Sequence, residues 1–157
     1  MQALALNSIG CDHSTLGEYH QALTSCQEAL ALMQDLGMRE GEACTWSSLG
    51  DAHHGLADHQ HAAICYQRAL DLFNVLGDRY SEARTLTRLG DVHLSAGDAG
   101  VAREAWAQAL QILQEIDHAD AGRVRAKLTS QVRALGATAS LTPGRSAPDP
   151  DAEKRVG

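Results

Sequence analysis

Residues 45–54 read TWSSLGDAHH and residues 85–94 read TLTRLGDVHL, so Leu49, Gly50, Asp51 and His53 return 40 positions later as Leu89, Gly90, Asp91 and His93. The same frame carried backwards meets ALNSIGCDHS at 5–14, which puts Gly10 and His13 in the Gly and His columns. Further columns align: Ala22, Ala62 and Ala102; Ala29, Ala69 and Ala109; Leu30, Leu70 and Leu110; Leu32, Leu72 and Ile112. Residues 1–40 match 41–80 at 13 positions and 41–80 match 81–120 at 11. Unrelated rows would share about three, so the chain is an internally duplicated array.

Within a row the apolar positions keep helical spacing. Trp46 and Leu49 precede a break at Gly55 to Asp58, and Ala62, Cys65, Tyr66, Ala69, Leu70, Phe73 and Leu76 follow it. Each row therefore reads as a helix pair. Gly17 and Gly97 end first helices, Gly37 and Gly77 end second ones, and Asp58, Asp78 and Asp98 stand where N-caps belong. The spacing predicts helices at 2–15, 18–36, 39–56, 58–76, 79–96 and 98–116. With aromatics at only 4% of 157 residues, these helices must pack through small side chains. Gly50 is expected to face Ala62, and Ala69 to touch the next repeat.

The pattern Trp46-x-x-Leu49-Gly50-x-x-His53, continued by Ala62, Tyr66 and Ala69, resembles the tetratricopeptide repeat, with His where an aromatic is usual. It recurs as Leu86, Leu89, Gly90, His93, Ala102, Trp106, Ala109 and as Leu6, Ile9, Gly10, His13, Ala22, Cys26, Ala29, covering residues 3 to about 117. The period is 40 rather than 34, and the Pro that often closes a repeat is missing. The resemblance implies an all-α, right-handed solenoid of three repeats at about 1–37, 38–77 and 78–117. A seventh helix at 118–135, with Val124, Leu128, Val132 and Leu135 in one stripe, is expected to cap it. All three prolines lie at 143–150, so 136–157 reads as a disordered tail.

A net charge of -7 with no basic cluster argues against nucleic-acid binding. No apolar run approaches the roughly 20 residues of a membrane span and no signal peptide opens the chain, so a cytoplasmic location is expected. Cys11, Cys26, Cys44 and Cys65 lack CxxC spacing and read as reduced, buried, apolar groups. No nucleophile–base set, carboxylate pair or phosphate loop is present, so neither enzyme activity nor a cofactor is expected. His53 and His54 are adjacent and point about 100° apart on a helix. His53 is read as a packing residue that bonds through its ring, and His54, His59 and His61 as solvated, with no metal site.

First helices of stacked pairs line the inner side of such an array. By analogy with tetratricopeptide grooves, the binding positions are Asn7, Cys11 and Ser14; Cys44, Ser47, Ser48, Asp51 and His54; and Arg84, Thr87, Arg88 and Asp91. Arg84 and Arg88 lie one turn apart and could grip a carboxylate together, unless Asp91 and Glu82 neutralise them. Chaperone-binding relatives use basic residues here together with first-repeat partners, but Asn7 and Cys11 leave that clamp incomplete. The resemblance thus favours an internal acidic or mixed segment of a protein partner.

The closing phrase HADAGRVRAKL and the QxALxL second helices resemble the repeat region of actinobacterial transcription regulators of the antibiotic regulatory protein (SARP) type. That implies a regulatory module binding a partner or another domain of its parent chain; a stand-alone adaptor or self-associating scaffold is the alternative. Met1 enters the first helix without a capping element, which suggests a piece of a longer chain whose bare first helix could form a homodimer.

Overall fold

A computed structural model describes residues 1–139. Among them are seven helices: α1 (Gln2–Thr15), α2 (Tyr19–Asp35), α3 (Arg39–Gly55), α4 (His59–Leu76), α5 (Arg79–Ser95), α6 (Ala99–Glu115) and α7 (Ala121–Ala139). The first six fall where the spacing puts them. α7 starts and ends later than the expected 118–135; the rest of the expected disordered tail, 140–157, lies outside the described residues. Each helix packs against the next and α1 also reaches α3, so the hairpins α1–α2, α3–α4 and α5–α6 stack into a helical-repeat solenoid closed by α7.

The turns show how firmly stacking dictates the backbone. Gly17, Gly37, Gly77 and Gly97 are left-handed, and the positions that lack glycine in the same columns are left-handed too: Ala57 has φ 58° and Asp117 φ 50°. A side chain there costs about 1 kcal/mol, accepted because the hairpin requires that turn. Asp58 and Asp78 cap α4 and α5, accepting from the backbone N–H of His61 and Ser81. Asp98 sits at the N-cap of α6 without a side-chain cap bond.

The Gly column is filled most closely by side chains of the second helices. A Cβ on Gly50 would lie 2.6 Å from the Tyr66 ring, one on Gly90 2.4 Å from Trp106 Nε1, and one on Gly10 2.3 Å from Cys26 Sγ and 3.3 Å from the carbonyl of Ala22, which shares the column of Ala62. In the second and third repeats the small residue of the first helix is thus the socket for a large aromatic of the second, and in the first repeat for Cys26. Ala69 clusters with Ala43 and Phe73 of its own repeat, not with the next. The largest core runs from Ala62 and Tyr66 through Leu86, Leu89 and Trp106 to Leu113 and Val124.

α7 caps this core over only half its stripe. Val124 is buried and Leu128 packs against the cluster, but Val132 is 62% exposed and Leu135 44%.

Two cysteines contradict the uniform core reading. Cys26 and Cys65 are buried, whereas Cys11 and Cys44 are exposed. Burial pushes the Cys26 thiol up to about 12 and the Cys65 thiol up to about 11, and raises the Tyr66 hydroxyl, with Asp51 adding to the last. Raised folded-state values mean that these groups favour folding fully below their unfolded values and lose that contribution as pH rises. Stability should therefore fall from about pH 9 upward by on the order of a few kcal/mol by pH 11. Urea titrations at pH 7, 9 and 11 check this; a flat profile would refute it.

Candidate functional site

One face of α1, α3 and α5 lines a cavity of about 580 Å³. Ten of the expected groove residues meet there: Asn7, Cys11 and Ser14 from α1; Cys44, Ser47, Ser48, Asp51 and His54 from α3; Arg84 and Arg88 from α5. Thr87 and Asp91 open instead into an adjoining cavity of about 330 Å³ between α5 and α7, which Arg84 and Arg88 also line. Tyr19, Thr15 and Phe73 contribute to the first cavity although the first-helix positions drawn by analogy with tetratricopeptide grooves did not include them. They come from helix ends and second helices, which a one-helix periodicity does not register.

A ladder of contacts crosses this face from repeat to repeat. Cys11 Sγ lies 3.2 Å from Ser48 Oγ, Asp51 pairs with Arg88, and Lys127 Nζ donates to Asp91 at 2.7 Å. The partners are separated by 36 or 37 residues, so each rung ties one first helix to the next. The Tyr66 hydroxyl donates to Asp51 at 2.5 Å, anchoring the middle rung to α4. Lys127 also sits over the Trp106 ring at 5.6 Å, so α7 is held by charge as well as by packing.

This ladder corrects the picture of two equivalent arginines. Arg88 is engaged by Asp51, Asp91 by Lys127, and Glu82 by Arg79 at 2.7 Å. Arg84 has no carboxylate partner among the described residues; its guanidinium carbon stands 6.0 Å from the Tyr80 ring centre. At the opposite end of the cavity, Asn7 Oδ1 and Ser14 Oγ are buried without a hydrogen-bond partner. Although Cys44 is exposed to solvent, partial desolvation by the surrounding groove wall, helped by Glu40 and Asp78, raises its thiol and makes it a poor nucleophile near neutral pH.

The histidine column has a structural role that the sequence only half disclosed. His13 Nδ1 lies 2.6 Å from Glu18, His53 Nδ1 3.2 Å from Asp58 and His93 Nδ1 4.0 Å from Asp98, so each imidazole faces an acid across the turn of its own hairpin. The spacing His-x4-Asp/Glu carried this signal. His61 is not simply solvated: it bonds Asp58 through Nδ1 and stacks on His53 with ring centres 5.2 Å apart. The hydrogen bond from His61 lowers the Asp58 carboxyl below its usual range.

The family model for the tetratricopeptide repeat matches residues 1–74 and 41–115. Among solved structures, the chain is similar to the Rap protein complexed with competence and sporulation factor, at TM-score 0.78 and 16% identity over 88% of this chain. It spans 39% of that longer chain. It is also similar to a tetratricopeptide-like protein of Chlorobium tepidum TLS, at TM-score 0.70 and 17% identity, covering 86% of this chain and 94% of that one. Identities this low establish the fold alone. Among curated proteins none matches the chain.

Proposed function

Because the chain belongs to the tetratricopeptide-repeat family, whose fold generally serves protein–protein interaction, we propose that the groove of α1, α3 and α5 captures an acidic peptide segment, with Arg84 receiving its carboxylate. The observation that carries this is the unpaired Arg84, which lines both cavities while the neighbouring charges neutralise one another. Asn7 and Ser14 line a second, uncharged end of the same cavity. The Rap protein's complex with competence and sporulation factor makes such an occupant reasonable for this architecture.

The partner would be a protein or another domain of a parent regulator of the SARP type, acting in the cytoplasm, with the repeats binding rather than catalysing. No described helix is long and apolar enough to cross a membrane. An upstream reading frame encoding a nucleotide-binding ATPase and a winged helix would support that parent; a frame without them would remove it. Self-association is a second reading, favoured by Leu4 and Ile9 of α1, which are 48% and 45% exposed. Sedimentation that stays monomeric at all concentrations would eliminate it.

Fluorescence anisotropy with labelled acidic, neutral and basic decapeptides tests the groove. Acidic peptides should bind best, and Arg84→Glu should weaken them by roughly a hundredfold or more, since it replaces a charge-assisted bond with repulsion. Equal binding of all three classes, or an unaffected variant, would move the site elsewhere.

A further inference from the structure

The middle repeat carries a group of ligands that the other two lack. One ring nitrogen each of His53 and His61 and an Asp58 carboxylate oxygen all lie within 4.8 Å of one another. His61 Nδ1 is 2.9 and 2.8 Å from the two Asp58 oxygens, and His53 Nδ1 is 3.2 Å from one of them. The first and third repeats have the His–acid pair, His13 with Glu18 and His93 with Asp98. At the position of His61 they have Gln21 and Val101. A turn clamp common to the array has therefore become, in one repeat alone, a convergence of two imidazoles on one carboxylate.

We propose that His53, Asp58 and His61 form a site for one divalent transition-metal ion of the zinc class, with water completing its coordination. Around zinc at about 2.0–2.2 Å, tetrahedral ligand atoms stand roughly 3.3–3.5 Å apart, so the two His–Asp separations need open by only a few tenths of an ångström, while the two imidazole nitrogens, within 4.8 Å of each other, are brought to that spacing by rotation of the exposed His61 ring. The three residues are fixed on short, well-tied backbone: His53 is in the last turn of α3, Asp58 caps α4, and His61 is the residue whose N–H that cap receives. Asp58 N–H donates back to the His53 carbonyl at 2.9 Å, closing the loop. Each imidazole would coordinate through Nδ1 with its proton moved to Nε2. His61 is 63% exposed and Asp58 37%, which leaves room for water. Two nitrogens and one oxygen favour zinc, nickel or copper over magnesium or calcium.

The bland account, two imidazoles hydrogen-bonded to one carboxylate, makes a different prediction. None of the three residues lines either groove cavity, so metal binding and peptide capture are separable. Calorimetric titration of the purified chain with Zn²⁺ should give one site, and Co²⁺ should give visible d–d bands. Zn²⁺ should raise the melting temperature by linkage, whereas Mg²⁺ should not. His61→Gln, which installs the residue of the first repeat, should keep the helical circular dichroism and weaken zinc by roughly tenfold or more. His54→Gln and Cys44→Ser should leave binding intact. The absence of stoichiometric zinc, unaltered binding by His61→Gln, or loss through His54→Gln or Cys44→Ser would overturn the assignment.

Discussion

Gly90→Val is expected to destabilise the third repeat by about 3 kcal/mol or more, the sum of overpacking and a lost buried hydrogen bond. A Cβ at Gly90 would come within 2.4, 2.5 and 2.9 Å of Trp106 Nε1, Cδ1 and Cε2. The indole has nowhere to go: it is 1% exposed, and its Nε1–H donates to the Thr87 carbonyl at 3.0 Å. Displacing it would also remove the ring over which Lys127 sits, so α7 should loosen together with α5 and α6. Because repeats contact only neighbours, the first hairpin should keep its hydrogen-exchange protection while 79–139 lose theirs. Gly100→Ala is the control in the same repeat. Nothing lies within 4 Å of a Cβ there, so it should be neutral or stabilising by about 0.5–1 kcal/mol. Equal urea midpoints for the two variants would refute the socket account of the glycine column.

The second large effect separates the two groove arginines. Arg88→Glu should cost about 1–3 kcal/mol, because it sets a carboxylate against Asp51 and disturbs the bond that Tyr66 makes to it. The figure is held below that of a fully buried pair because Arg88 and Asp51 are 34% and 32% exposed. Arg84→Glu breaks no ion pair and forfeits only a distant ring contact, so its stability change should stay within about 0.5 kcal/mol. Denaturation of both variants, together with Asp51→Arg/Arg88→Glu, would show whether reversing the pair restores what the single change removes. Equal stability of the two single variants would mean that the Asp51–Arg88 rung contributes nothing. The contrast matters for function, since a capture defect in Arg88→Glu mixes stability with binding, whereas one in Arg84→Glu reports on the groove.

The helices were legible because two local signals coincide, apolar spacing within each row and glycine or aspartate at its breaks. The groove was legible as a set of positions, since ten of twelve residues meet in one cavity. Their charge states were not. Arg88 looks as free as Arg84 on its own helix, and only the stacking offset of α3 on α5 brings Asp51 to it. The same holds for Asp91 and Lys127, whose contact depends on where α7 docks. Val132 and Leu135 continue the stripe of Val124 in sequence, yet they are 62% and 44% exposed where Val124 is buried.

The amino-acid sequence by itself determined the period, the three helix pairs and the turns, because these rest on side-chain spacing and backbone preference within some 40 residues. Tertiary structure alone decided which small residue receives which aromatic, which groove charges cancel and that Arg84 is left without a carboxylate partner among the described residues. Those outcomes depend on the rotation and shift between successive hairpins, a quantity fixed by the summed packing of two surfaces and written in no single stretch of chain.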